Sequence, residues 1–357
     1  MRLICAKSSH QKAYIYPKTR STAISERSTE TKVRPRRKTS RHVVWRKTAE
    51  SCKWRAACPR HPPFPLQKNQ RRQEYRLDPS PPHPAFPLSK KTIKSRDIRG
   101  KLVLLGTGTS VGVPAIGCPC PVCTGNHPRN QRTRCSAIFG LPEGNLLIDT
   151  APDLRQQLLR EQIGIVHAVA YTHEHADHIF GLDDLRLFQF YLGHPVPIYC
   201  NAQVELRLRT SFDYAFNEAP QTHLGAVPAL TIHPIELDPF EVLGSRVVPI
   251  VLHHGPRFNV LGFRIGNVAY CTDVKSIPDG SWPLLAGLDS LVLGALRFES
   301  HPTHMNLEEA IAAAQRIGAK QTYFTHCSCH IDHPVVDAQL PRDIHLAYDG
   351  LEIELEA

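Results

Sequence analysis

Thr172-His173-Glu174-His175-Ala176-Asp177-His178 puts four metal-competent side chains into six residues, directly after the apolar run Ala168-Val169-Ala170-Tyr171. The apolar run has the length of a buried strand. Ligands at i, i+2, i+4 and i+5 do not share one helix face, where neighbours lie three and four residues apart, so the spacing predicts a loop leaving that strand. Folded back on itself, the loop would aim His173 and His175 at one cation and Asp177 and His178 at a second one close by, as a two-metal hydrolase requires. An isolated His-x-His is often only a polar surface turn. Four ligands in six residues at a strand end outweigh that alternative.

The pairing of strand and ligand recurs along the chain. Residues 247–252 run into His253-His254-Gly255, residues 268–271 into Thr272-Asp273, residues 321–325 into His326, and residues 145–148 into Asp149. In layered α/β folds, rigid strands hold functional groups where the loops beyond them are free to be polar. Between the strands, residues 152–162, 179–192, 203–216 and 307–317 carry helical apolar spacing, the last after the capping residue Asn306. An α/β domain over residues 99–357 is the expectation, its first strand at residues 102–105.

That strand opens into Gly106-Thr107-Gly108-Thr109-Ser110-Val111-Gly112. The loop lacks the Gly-Lys-Ser/Thr ending of a phosphate loop, and no helix follows. It is expected to be a flexible turn with its N–H groups near the site. Gly117-Cys118-Pro119-Cys120-Pro121-Val122-Cys123 comes next. Three thiolates this close need one distant ligand to complete a tetrahedral zinc site.

The 357 residues carry a net charge of +10, but the first hundred hold 26 Lys+Arg against 6 Asp+Glu and the remainder 17 against 27. The basic character therefore belongs to a Pro-, Ser- and Arg-rich extension, residues 1–98, expected to be disordered. Its composition also suits an organelle transit peptide or a nucleic-acid contact. No apolar run approaches the ~18–20 residues of a membrane span, and Met1–His10 lacks a secretory apolar core, which points to a cytoplasmic protein. Of 11 cysteines, five cluster at 118, 120, 123, 327 and 329, favouring metal thiolates over disulfides.

Residues 173–178 followed in order by His254, Asp273 and His326 resemble the metallo-β-lactamase superfamily, over about residues 101–357. Within it, residues 105–110, the cysteine knuckle, residues 171–185 and His301-Pro302-Thr303-His304 look like the PhnP-like branch of phosphoribosyl cyclic phosphodiesterases. The resemblance implies an αββα sandwich of two mixed β-sheets flanked by helices. It implies two Zn2+ or Mn2+ ions, the first on His173, His175 and His254 (with His253 as rival), the second on Asp177, His178 and His326, and Asp273 bridging them. One structural Zn2+ would sit on Cys118, Cys120, Cys123 and a fourth ligand. The branch has a histidine three residues after the last active-site histidine; here Cys329 takes that place, with His330 next to it. Asp177 and His304 are the catalytic candidates, His304 matching a histidine that contacts the phosphate or acts as the acid, and Asp149 is expected to orient a ligand. The implied activity is attack on a small cyclic or ester phosphodiester by a hydroxide bridging the two ions, with homodimerisation open. A transfer-RNA 3′-end endonuclease shares the loop, although acidic residues 101–357 argue against gripping RNA. A non-hydrolytic accessory protein like the pyrroloquinoline-quinone biosynthesis B protein shares a similar knuckle.

Overall fold

The computed structural model describes residues 93–217 and 223–356; the segment expected to be disordered lies, through residue 92, outside them. The first sheet is built from β1 (Lys101–Gly106), β2 (Ser136–Leu141), β3 (Gly144–Ile148), β4 (Ala168–Ala170), β5 (Val196–Cys200) and β6 (Leu230–Pro234). The second takes β7 (Phe240–Val242), β8 (Ser245–His253), β9 (Asn259–Ile265), β10 (Val268–Cys271), β11 (Ser290–Gly294), β12 (Gln321–Thr325) and β13 (Ile344–Leu346). The last strand, β14 (Glu352–Glu354), returns to the first sheet beside β1. Strand order is β14-β1-β2-β3-β4-β5-β6 in one sheet and β13-β12-β11-β10-β9-β8-β7 in the other. Each sheet is mixed, β1–β3 and β7–β10 pairing antiparallel and β3–β6 and β10–β13 parallel.

Side-chain alternation builds four layers. Leu102 and Leu104 of β1 pack between the sheets with Phe139, Phe263 and Tyr270, while Val103 and Leu105 face the opposite way, onto Leu154, Ile179 and Val204. In β10, Val268 and Tyr270 join the inter-sheet core, and Ala269 and Cys271 meet the outer layer of Leu307 and Ala310. Helices Leu154–Arg160 and Ala202–Ser211 cover the first sheet, and Leu307–Ile317 covers the second. The result is an αββα sandwich. Helix Leu307–Ile317 starts on a capping box, Glu309 N donating to Asn306 Oδ1 (2.8 Å) and Asn306 N to Glu309 Oε2 (2.9 Å).

Three expectations need correction. Residues 179–192 are not one helix but Ala176–Ile179, a 3-10 turn Leu182–Leu187 and Phe188–Leu192. The break is at Gly181, whose N–H donates to Thr150 O and which lies so near Ala151 that a Cβ would sit 2.1 Å from its carbonyl oxygen. Residues 203–216 divide at Phe212 into Ala202–Ser211 and Asp213–Phe216. Packing also begins ahead of β1: Ile98 is buried in the first sheet's outer core, and Arg96 N donates to Gln162 O (2.8 Å). Among the described residues, no helix is long and apolar enough to cross a membrane.

Candidate metal centre

The segments that follow β3, β4, β8, β10 and β12 bring their polar side chains together. His173, His175 and His254 form one set of three ligand atoms within 4.8 Å of one another; Asp177, His178 and His326 form another. Asp273 joins both neighbourhoods, grouping with His173 and His178 and also with His254 and His304. Asp149, Asp273 and His326, each just past a strand end, have φ of 62°, 53° and 59°. The left-handed region costs a non-glycine residue about 1–3 kcal/mol, and such strain gathers at functional sites.

The first half of the ligand stretch is the loop expected; the second half is not. His175 is the N-cap of helix Ala176–Ile179, so Asp177 and His178 occupy a helical turn closed by His178 N donating to His175 O (3.0 Å). His173 Nε2 and His175 Nδ1 lie 3.0 Å apart, and the turn brings the His178 ring to 4.1 Å from that of His173. His178 Nε2 is 3.3 Å from both Asp177 Oδ2 and Asp273 Oδ2, and His326 Nε2 is 3.2 Å from Asp273 Oδ1.

These residues fit cations. His178 Nε2 and both ring nitrogens of His326 are buried without a hydrogen-bond partner. An unpaired buried polar atom costs about 1–3 kcal/mol, and nitrogens facing carboxylates are what a metal ion would satisfy. Imidazole with carboxylate suits zinc or manganese. The electrostatics agree. Burial alone would raise Asp273 and Asp177, yet neighbouring imidazoles hold both below the usual carboxylate range. Burial opposes a charge on His178, but Asp273, Asp149 and Asp177 hold it well above the ordinary imidazole value. The pocket demands positive charge.

A second ring of contacts aims the ligands. Asp149 is fully buried and accepts from Thr172 N (2.8 Å), Thr172 Oγ1 (2.7 Å) and His178 Nδ1 (2.7 Å). Because a carboxylate only accepts, Nδ1 carries the proton and Nε2 turns to the cluster. His254 Nδ1 likewise donates to Thr303 O (2.9 Å). His253 instead faces Ser276 Oγ (3.2 Å), outside the cluster. His304 lies against the centre, its ring 4.6 Å from that of His254 and 4.7 Å from that of His326, and its Nδ1 3.8 Å from Asp273 Oδ1. Burial, with His326 beside it, pushes His304 down to about 3. The orienting roles of Thr172 and Thr303 were not foreseen; the one available signal was that each adjoins a candidate histidine in sequence.

Cys118, Cys120, Cys123 and Cys329 form a four-thiol cluster, with Cys118 Sγ and Cys329 Sγ 4.0 Å apart. His330 is half-exposed and faces Glu299 Oε2 at 3.3 Å, so the structure brings Cys329 and not His330 to the knuckle. Cys120 accepts from Cys123 N (3.4 Å), the main cause of a thiol lowered to about 7 and ready to ionise near neutrality.

The glycine-rich loop differs from expectation. Three of its N–H groups are taken up within the protein: Thr107 N donates to Asp349 Oδ1 (2.9 Å), Gly108 N to Thr133 O and Thr109 N to Cys327 O. Its glycines serve packing, since a Cβ on Gly106 would lie 2.0 Å from Arg134 O. The loop therefore ties down Cys327, between His326 and Cys329.

A family model described as beta-lactamase superfamily domain matches residues 144–327. An octanoyltransferase of Porphyromonas gingivalis is 37% identical over 256 residues, 71% of this chain and 51% of that protein. Coenzyme PQQ synthesis protein B of Methylorubrum populi is 32% identical over 112 residues, 28% of this chain and 36% of that one. The chain thus spans about half the length, or less, of these curated relatives. Among solved structures, a diphosphatase from the PhnP family shares 41% identity at a TM-score of 0.67, over 72% of this chain and 98% of that one. Zn2+-bound PqqB from Methylobacterium extorquens, with a TM-score of 0.58 at 21% identity over 71% of this chain and 100% of that one, is similar in fold alone. With a superfamily model matching over half its length and a two-sheet sandwich gathering ligands at its strand ends, the chain belongs to the beta-lactamase superfamily and carries that family's metal-dependent hydrolase fold.

Proposed function

We propose that the chain is a metal-dependent phosphoesterase with a dinuclear centre, hydrolysing a small cyclic or open phosphodiester. The observation that carries this reading is the pair of three-ligand sets joined by Asp273. His173, His175 and His254 would hold one cation, Asp177, His178 and His326 the other, and Asp273 would be shared. Bound there, Zn2+ or Mn2+ would supply a nucleophile at neutral pH and polarise a phosphoryl oxygen. The chain's own residues do the rest. Asp149 and the Thr303 carbonyl hold His178 and His254 with Nε2 turned inward. His304 faces Asp273 Oδ1 through Nδ1 at 3.8 Å, and burial with His326 beside it favours the neutral ring. An anionic phosphate beside it would add a Coulombic attraction for the protonated ring, from which a proton would pass to the leaving alkoxide.

A second reading, hydrolysis of a phosphoanhydride, is favoured by the 41% identity to the diphosphatase. Both keep the same residues in the same roles and a small phosphate substrate. The test is hydrolysis of bis(p-nitrophenyl) phosphate and of a dinucleoside diphosphate by the full chain with added Zn2+ or Mn2+, beside Asp177→Ala. Metal-dependent turnover lost in the variant is expected. No turnover by the parent with either metal would overturn the proposal.

A further inference from the structure

We propose that Arg257 and Phe258 form the subsite for the part of the substrate beyond the reacting phosphorus: Phe258 stacks a flat ring such as a nucleobase, and Arg257 pairs with a second phosphate. The inference rests on the phosphoesterase reading and narrows its substrate to a nucleotide-like ester.

The tip Gly255-Pro256-Arg257-Phe258 lies between β8 and β9 and begins directly after His254. It is held firmly at its base, His254 N donating to Phe258 O (2.8 Å). On its other side it lies directly on the segment that carries His304. Gly255 has φ +81°, and a Cβ there would come within 2.8 Å of Thr303 Cγ2. The tip is therefore positioned by the metal centre itself.

Phe258 nevertheless stays 42% exposed, presenting its ring in an edge contact with His175, centroids 5.8 Å apart and planes at 68°. Apolar surface left in water beside a metal ligand is free energy that a bound ring recovers. Arg257 is exposed and, among the described residues, has no ion pair or hydrogen bond. A free guanidinium next to an aromatic face, in a region where residues 101–357 hold 17 Lys+Arg against 27 Asp+Glu, is suited to bidentate phosphate recognition. Stacking on one face and charge pairing beside it is how proteins hold nucleotides without reading a sequence.

The experiment measures kcat and KM of the full chain on three cyclic phosphodiesters: glycerol 1,2-cyclic phosphate, adenosine 2′,3′-cyclic phosphate, and the latter carrying a 5′-phosphate. Phe258→Ala should raise KM for both adenosine compounds about 10- to 100-fold, leave the glycerol compound within twofold, and be rescued by Phe258→Trp. Arg257→Ala should raise KM for the 5′-phosphorylated compound alone, with partial rescue by Arg257→Lys. Losses equal across the three substrates would mean that the tip merely supports the metal ligands, and no loss would mean that it touches nothing; either overturns the subsite. A parent preferring the glycerol compound overturns it as well while leaving the phosphoesterase reading intact. Turnover of none of the three, with none of bis(p-nitrophenyl) phosphate, overturns both.

Discussion

Asp149→Asn exchanges one oxygen for an amide nitrogen at a position with no exposed surface. The backbone is no obstacle, since φ is 62° and asparagine visits the left-handed region readily. One bond survives, with the new carboxamide oxygen accepting from Thr172 N as Oδ1 does at 2.8 Å. The group replacing Oδ2 cannot accept, and Oδ2 receives both Thr172 Oγ1 (2.7 Å) and His178 Nδ1 (2.7 Å). His178 can adapt by moving its proton from Nδ1 to Nε2, but Nε2 then donates where a lone pair is needed. Losing the partner that sets a ligand's tautomer costs metal affinity about 10- to 100-fold, or about 1.4–2.7 kcal/mol. Titrating parent and variant against a graded series of chelator concentrations, with metal content read by atomic emission, gives the two dissociation constants. The loss should fall on the site containing Asp177, His178 and His326, leaving zinc at the four thiols unchanged. An Asn variant that holds its metals within twofold of the parent would refute the idea that Asp149 sets the His178 tautomer.

Cys120→Ser should lower zinc content by about one equivalent per chain and destabilise the domain by several kcal/mol, within the range of structural zinc sites; unchanged stoichiometry by atomic emission counts against the thiol site. Gly255→Ala adds a Cβ that must meet Thr303 Cγ2 at 2.8 Å in a left-handed conformation, forcing His254 and the 301–304 segment apart. Turnover should fall more than tenfold on a scale of about 1.4 kcal/mol per decade, and the melting temperature should fall as well, since about 1–3 kcal/mol of backbone strain corresponds to several degrees; parental kinetics would show that the two segments need no fixed spacing. Asn306→Ala removes half of a capping box remote from the chemistry. It should cost about 1 kcal/mol and lower Tm by about 2–4 °C with activity retained, as calorimetry and a rate assay can show.

Much of the candidate site was legible because its residues are local. His173, His175, Asp177 and His178 stand together, and each later ligand directly follows a strand that apolar patterning marks. Metal chemistry tolerates few residue types, so the pattern survives without knowledge of the fold. What the sequence did not disclose depends on distant approach. Gly106 looks like a flexible loop residue until Arg134 O is placed where its Cβ would go. Asp349 has no local pattern, yet it is the acceptor for Thr107 and Thr133 far earlier in the chain. That Cys329 and not His330 joins the other three thiols likewise depends on which side chain the segment after β12 turns inward, something periodicity does not encode. Helix continuity through residues 179–192 failed for the same reason, because Gly181 answers to Ala151 and not to its own helical neighbours.

The thiol cluster joins Cys118 to Cys329 across a sequence separation of 211 residues. Once a metal holds those sulfurs, the knuckle is a topological staple. A cross-link closing so long a loop removes about 5 kcal/mol of entropy advantage from the unfolded chain on the polymer model used for disulfides. It also imposes an order on assembly. His326 and Cys329 are the last members of the His/Asp groups and of the thiol cluster, three residues apart on one strand exit. A chain that stops before β12 already contains His173, His175, His254 and Asp273 but lacks both His326 and Cys329, so the second group of three and the thiol cluster stay incomplete until nearly the whole sandwich has been made. Filling of the thiol cluster and of the group containing His326 would then report on completion of the domain.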